Sequence, residues 1–255
     1  MKQDYTIAAV VRALKILRLF DVNHRVMSLT VISSLSGLTK SSALRILDSL
    51  ESEGFVRRGE EDKKYRLGTE IFIIGNTGYE FSSLRDLAGP LLKKIANATG
   101  LTGHLGVLEH SKILFASCVY PDSVYEGYSI ASSVGAELPC HCTGVGKVLL
   151  AFCNTAQRET LLDKCDFKRY TPNTIVTKQA LLTELEQIRG DGYGLNHEEH
   201  ELYVSCITYP VFDFRRQIVA AVSLTGQTQI MKNKDQEFLH ATLKEMASEL
   251  GRLCV

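Results

Sequence analysis

The sequence carries no net charge, since 29 Lys and Arg balance 29 Asp and Glu over 255 residues. Whole-chain electrostatics therefore point to no partner. No uncharged run approaches the roughly 20 residues that a membrane-spanning helix needs, so no membrane partner is expected. The apolar N-terminal stretch YTIAAVVRALKILRLF lacks an unbroken hydrophobic centre, because Arg12, Lys15 and Arg18 divide it, and no small-residue cleavage site follows. It reads as an amphipathic helix, not a signal peptide. Cysteine is absent before Cys118 and the seven present are an odd number, a poor basis for a disulfide framework. A reduced, cytoplasmic chain is the expectation. Internal repeats and low-complexity tracts are also absent. So are G-x-S-x-G, H-E-x-x-H and any convincing Cys-His-Asp/Asn order, which leaves catalysis without a recognisable centre and no cofactor implied.

What is present is unevenly distributed. Met1 to Gly68 holds 12 basic against 8 acidic residues, and Lys40, Arg45, Arg57, Arg58, Lys63, Lys64 and Arg66 crowd one part of it. That is a footprint a polyanion selects. Apolar residues at Val10, Ala13, Leu14, Leu17 and Phe20 predict a first helix with these on one face. Leu29, Ile32 and Leu35 predict a second, ended by Gly37. A third opens after Thr39 as N-cap, buries Ala43, Ile46, Leu47 and Leu50, and stops at Gly54. Its other face presents Lys40, Ser41, Ser42, Leu44, Arg45 and Asp48. Hydroxyls and cations at a helix N-terminus suit phosphates, an Arg one turn in reaches a guanine edge, and a Leu meets a thymine methyl. FVRR and KKYRL then flank an acidic turn as a basic hairpin. Helix, helix, turn, helix and hairpin make a winged helix-turn-helix for double-stranded DNA.

Downstream, TEIFIIGNTGYEF is helical in its first half, weakened by Gly75 and Gly78. An amphipathic helix with Leu84, Leu87, Leu91 and Ile95 on one side follows, and Pro90 should kink it or start it. Strands are predicted at GHLGVLE, KILFASCVY, VYEGYSIASS, SCITYPVFD and QIVAAVSLTG, with helices around 145–153, 155–164 and 178–190. A last helix over Asp235 to Cys254 carries Leu239, Leu243, Met246, Leu250 and Leu253.

The stretch PCHCTGVGK, residues 139–147, is ambiguous by itself. As a phosphate loop it fails, because His141 stands at the first glycine and Val148 at the magnesium-holding hydroxyl. As half a zinc site its Cys140 and Cys142 are too close for C-x(2–4)-C, and His197 and His200 in NHEEH do not complete H-E-x-x-H. Buried apolar cysteines are the reading, with no metal assigned, and a site pooled from both segments stays open. Thr143, Gly144, Val145 and Gly146 offer backbone N–H groups at a helix start, which attracts carboxylates. Lys147 either meets a ligand or forms a structural ion pair. Glu198 and Glu199 read as surface or interface charges.

VVRALKILRLF, LSGLTKSSALRILDSLESEGFV and KYRLG resemble the DNA-binding half of IclR-type bacterial transcriptional regulators. VGAELPCHCTGVGKVLLAF, GDGYGLNHEEHELYVSCITYPVFD and IVAAVSLTG continue the resemblance in that family's order along nearly the whole chain. It implies an α+β protein: a winged helix-turn-helix over 1–68, a linker helix over 69–82, and a GAF-like effector-binding and oligomerisation domain with a curved antiparallel sheet over 83–255. DNA contacts are expected from Thr39, Lys40, Ser41, Ser42, Leu44, Arg45, Arg57, Arg58, Lys63 and Lys64. Carried over by position, effector contacts fall on Gly144, Val145, Asn196, Cys206, Ser223 and Thr225. Asn196 stands where Asp is common, and Tyr203 stands where glycine is usual and would narrow the cavity mouth. The implied function is a ligand-responsive regulator, repressor more than activator, sensing a small organic, aromatic or sugar acid. It would bind operator DNA as a homodimer or dimer of dimers. The competing reading is a thiol- or metal-dependent enzyme, with Cys206 as nucleophile, or a zinc-containing sensor, whose N-terminal module serves only dimerisation.

Overall fold

A computed structural model describes residues 6–21, 24–77, 82–109, 112–123 and 134–254. The expected strand VYEGYSIASS and Gly78 lie outside them. The chain divides into two compact units, Met1–Glu80 and Phe81–Val255.

The first unit contains α1 (Ala8–Leu17), α2 (Leu29–Ser36), α3 (Lys40–Ser52), β1 (Val56–Arg58), β2 (Tyr65–Leu67) and α4 (Thr69–Thr77). Local chemistry sets its boundaries. Ser28 and Thr39 accept hydrogen bonds from Val31 N and Ser42 N, capping α2 and α3, and Gly37 closes α2 at φ +69°. Ile16, Met27, Ile32, Ala43, Leu47, Val56 and Tyr65 form the core, and β1 pairs antiparallel with β2. One expectation fails in α1, where Ile16 is the buried anchor while Val10 and Leu14 are exposed. A unit this small covers only the C-terminal half of the helix.

The second unit contains α5 (Ser82–Thr99), β3 (Thr102–Glu109), β4 (Lys112–Val119), α6 (Gly144–Phe152), α7 (Thr155–Asp163), α8 (Lys178–Asp191), β5 (Gly194–His197), β6 (Val204–Phe212), β7 (Ile218–Gln227), α9 (Thr228–Lys232) and α10 (Gln236–Leu253). The five strands form one antiparallel sheet in the order β4-β3-β7-β6-β5. Register shifts at Leu105/Gly106 and Val211/Phe212 interrupt its ladders. The helices α5 and α10 cover one face, and α6, backed by α8, covers the other. The sheet therefore has helices on both faces.

Pro90 does not divide α5. It is exposed, so water can serve the carbonyl that a proline leaves without an N–H partner. The buried stripe of α5 is Leu84, Ala88, Leu92, Ile95 and Ala96, while Leu87 is exposed. Alanines let the helix sit close to the sheet, which shifts the inward face away from the leucine-only pattern. In α10 the stripe holds through Leu250, and Leu253 is exposed. The short β5 and α9 were not foreseen.

Candidate functional site

Chemistry-bearing residues gather at three places, one in the first unit and two in the second. In the first unit, Thr39, Lys40, Ser41 and Arg45 are exposed along α3, and Ser42 and Leu44 are half-buried beside them. The Thr39 hydroxyl is not free: it caps Ser42 N at 3.3 Å and donates to Ser42 Oγ at 2.9 Å. Lys40, Ser41 and Arg45 are left as the outward group. In the hairpin Arg57, Arg58, Lys63 and Lys64 are exposed, but they are not equivalent. Arg58 Nε donates to Lys63 O at 3.3 Å, and its guanidinium lies over the Tyr65 ring at 5.5 Å. Arg66 is held by Asp62 at 2.5 Å, a bond that lowers the Asp62 carboxyl to about 2. The acidic turn thus fixes the wing's shape by holding its own arginine.

In the second unit, β-strand alternation brings His104, Cys206, Thr208, Ser223 and Thr225 to the α6 face. His104 is paired in register with Ser223, Thr208 with Ser223, and Cys206 with both Thr225 and Asn196. The first turn of α6 lies directly on this row. A Cβ on Gly144 would meet Cys206 Sγ and Thr208 Oγ1 at 2.5 Å, so only glycine permits the approach. The resulting cavity is about 80 Å³ and is lined by all six positions, Gly144, Val145, Asn196, Cys206, Ser223 and Thr225. His104, Phe115, Leu138 and His200 are further lining residues that the pattern reading missed. They come from elements distant in sequence, and only the sheet order unites them.

The cavity has no Lys or Arg among its described lining residues. Burial drives His104 down to about 3, so it is a neutral ring, stacked on Phe115 at 4.6 Å and bonded to Thr225 Oγ1 at 3.2 Å. Burial also lowers His200 and raises the Cys206 thiol. Polar character comes from hydroxyls, from the start of α6, from Asn196 and the two histidines, and from one acidic residue, Glu201. There Thr143 Oγ1 occupies Gly146 N at 3.1 Å, so Gly146 is not the free donor expected of it.

The chain matches the IclR helix-turn-helix domain over residues 9–60 and the bacterial transcriptional regulator IclR C-terminal domain over residues 80–252. It belongs to the IclR family. Among its relatives is the HTH-type transcriptional regulator XynR of Escherichia coli, 32% identical over 96% of both chains. The HTH-type transcriptional regulator KdgR of the same organism is 29% identical over 98% of this chain and 95% of its own. An IclR homolog from Microbacterium hydrocarbonoxydans, solved in complex with 4-hydroxybenzoate, superposes with a TM-score of 0.84 at 25% identity, covering 96% of this chain and 98% of that one. The Thermotoga maritima IclR gives 0.71 at 28% identity, covering 95% and 98%. This IclR-family chain is thus an α+β, DNA-binding transcriptional regulator.

One open choice in the sequence reading of this regulator is resolved and two readings change. Lys147, 1% exposed, does not face the cavity; its Nζ is 2.6 Å from Glu199 and 2.8 Å from Glu184. Glu199 is correspondingly buried, not a surface charge, and one of its oxygens has no hydrogen-bond partner among the described residues. Tyr203 is 73% exposed at φ +64°, clear of the cavity lining. Its left-handed backbone explains why glycine suits that position. Asn196, for its part, donates Nδ2 to Cys142 O at 2.5 Å and accepts from Glu199 N at 3.3 Å. An aspartate has no N–H to give that carbonyl, so the amide here ties β5 to the loop before α6.

The third place is unforeseen in composition. His197 is exposed and His200 lies tilted against Tyr170 at 4.7 Å between ring centroids, and neither joins Cys140. Instead Cys140 and His141 meet Cys165, just beyond the end of α7.

Proposed function

We propose that this regulator is ligand-responsive, with the cavity under α6 as its effector site and a small carboxylate as its ligand. The observation that carries the reading is the convergence of six family-aligned positions on one cavity, where hydroxyls and helix-start N–H groups would face an acid group at the end away from Glu201, the one acidic residue of the lining. Such a set receives an anion without a cationic side chain. The 4-hydroxybenzoate of the Microbacterium neighbour supports an acid. The cavity's 80 Å³ is below the roughly 150 Å³ that takes benzene, which favours a compact organic acid over an aromatic one. The raised Cys206 thiol supports binding over nucleophilic chemistry.

Residues 1–68 act as the DNA-binding head, 69–82 as the linker, and 83–255 as the sensing and oligomerising part. One head reads too few bases for high specificity, so the regulator works as a homodimer or dimer of dimers on half-sites about one helical turn or more apart. The effector favours one arrangement of the sensors, and the linkers turn that preference into head spacing. Named repressors among its relatives support repression. No described helix is long and apolar enough to cross a membrane, which agrees with action on cytoplasmic DNA.

The test is site selection from random DNA by the full-length chain, repeated with a panel of small carboxylates, alongside calorimetric titration of each acid. An enriched palindrome whose affinity responds to one acid is expected, with the acid's binding lost in Ser223→Ala/Thr225→Ala. An acid that binds the double variant as tightly as the parent places the effector elsewhere.

A further inference from the structure

The ring of His141, 1% exposed, is fixed from one side: Nε2 lies 3.0 Å from Lys168 O. A carbonyl accepts only, so Nε2 carries a proton and Nδ1 is the ring nitrogen turned to sulfur. Cys165 Sγ lies 3.3 Å from Nδ1. Cys140 supplies a second sulfur, and the three donor atoms lie within 4.8 Å of one another. They come from the loop before α6 and from the residue two places beyond α7, so the fold, not a spacing motif, assembles them. A second cavity, distinct from the effector cavity, opens beside them and is also lined by Glu137 and Asp166.

We infer that Cys140, His141 and Cys165 form a binding site for a thiophilic divalent cation, zinc above all, with water or a neighbouring carboxylate in the fourth position. Two sulfurs and one imidazole nitrogen are the donor set of tetrahedral zinc and a poor one for magnesium, calcium or manganese, which take oxygen. The Lys168 carbonyl on the far ring nitrogen is the support that metal-bound histidines characteristically have. Cys140 and His141 are buried and Cys165 is half-buried. One side is therefore open to the cavity, as an incompletely protein-coordinated metal requires. Binding would fasten the chain after α7 to the loop that begins α6. This assignment is independent of what the effector cavity takes.

The measurement is a cobalt titration of the reduced, chelator-stripped full-length chain, followed by zinc competition. The expected result is one cobalt per chain with a thiolate-to-cobalt charge-transfer band and tetrahedral ligand-field bands, both abolished by one equivalent of zinc. Cys165→Ser, at a half-buried position, should remove the charge-transfer intensity from sulfur there and weaken zinc by more than the roughly 10–100-fold that losing a supporting group costs. Cys254→Ser should leave both unchanged. Zinc should also raise the melting temperature of the parent and not of Cys165→Ser, with both showing the same circular dichroism without metal. Absence of the band, a band and zinc affinity that survive Cys165→Ser intact, or a reduced chain whose thiols only pair as a Cys140–Cys165 disulfide on exposure to air, each overturns the site.

Discussion

The two faces of the five-stranded sheet are made of the same strands and do different work. On β3, β6 and β7, Leu105, Val107, Ile207, Tyr209, Val222 and Leu224 pack against α5 and α10. Their immediate neighbours His104, Cys206, Ser223 and Thr225 line the cavity under α6. Both sets are buried, so the period-two alternation here separates a packed layer from a cavity lining, not inside from outside. Tight packing on one face supplies the stability that lets the other keep small polar groups and an unfilled space.

The largest test of that division is charge burial on the α6 side. Lys147→Ala leaves Glu199 buried without its cation and should lower unfolding free energy by about 3–5 kcal/mol in chemical denaturation. A loss below about 1 kcal/mol would mean that water reaches Glu199 and that the α6 layer is looser than its contacts indicate. Next comes a matched pair of adjacent residues. Leu224→Ala should cost about 2–5 kcal/mol, whereas Ser223→Ala should cost about 1 kcal/mol or less and act instead on effector affinity. Equal destabilisation by the two would collapse the distinction between the faces.

How much of this was legible follows from the range of each interaction. Helices α2 and α3 were readable because their caps, Thr39 and Gly37, and their apolar faces are local. The strands were readable from alternation, yet SLT in β7 looks the same whether its hydroxyls meet solvent or a cavity. The family resemblance located the six cavity positions; composition and spacing did not. Lys147 with Glu199, and Cys140 with Cys165, are pairs far apart in the chain, and neither partner announces the other before the sheet is assembled. In α5 the error was chemical, since counting leucines alone overlooked Ala88, whose small side chain marks the close approach.

The head offers the same two-faced logic at a surface. On α3, Ala43 and Leu47 are buried while Arg45 is exposed, so Arg45→Ala should spare folding and cost about 1–3 kcal/mol of discrimination at one base position. In the wing, Arg57 is the outward cation and Arg58 is partly committed to Lys63 O and Tyr65. Arg57→Ala should therefore flatten the salt dependence of binding by about one unit, and Arg58→Ala should do so less. A sequence logo unchanged by Arg45→Ala would reverse the orientation of α3 on DNA.

The smallest effect sits at Tyr203. Its φ of +64° is in the left-handed region, which costs a residue bearing a Cβ roughly 1–2 kcal/mol and glycine nothing. Glycine gives part of that back, because it loses more freedom on folding. Tyr203→Gly should therefore stabilise the chain by no more than about 1 kcal/mol. Because the ring is 73% exposed and outside the cavity lining, effector affinity should not change. A gain in stability with unchanged affinity confirms that the tyrosine is a backbone liability away from the cavity. A change in affinity without one would place the ring at the cavity mouth, and would extend the recognition face of the sheet into the turn between β5 and β6.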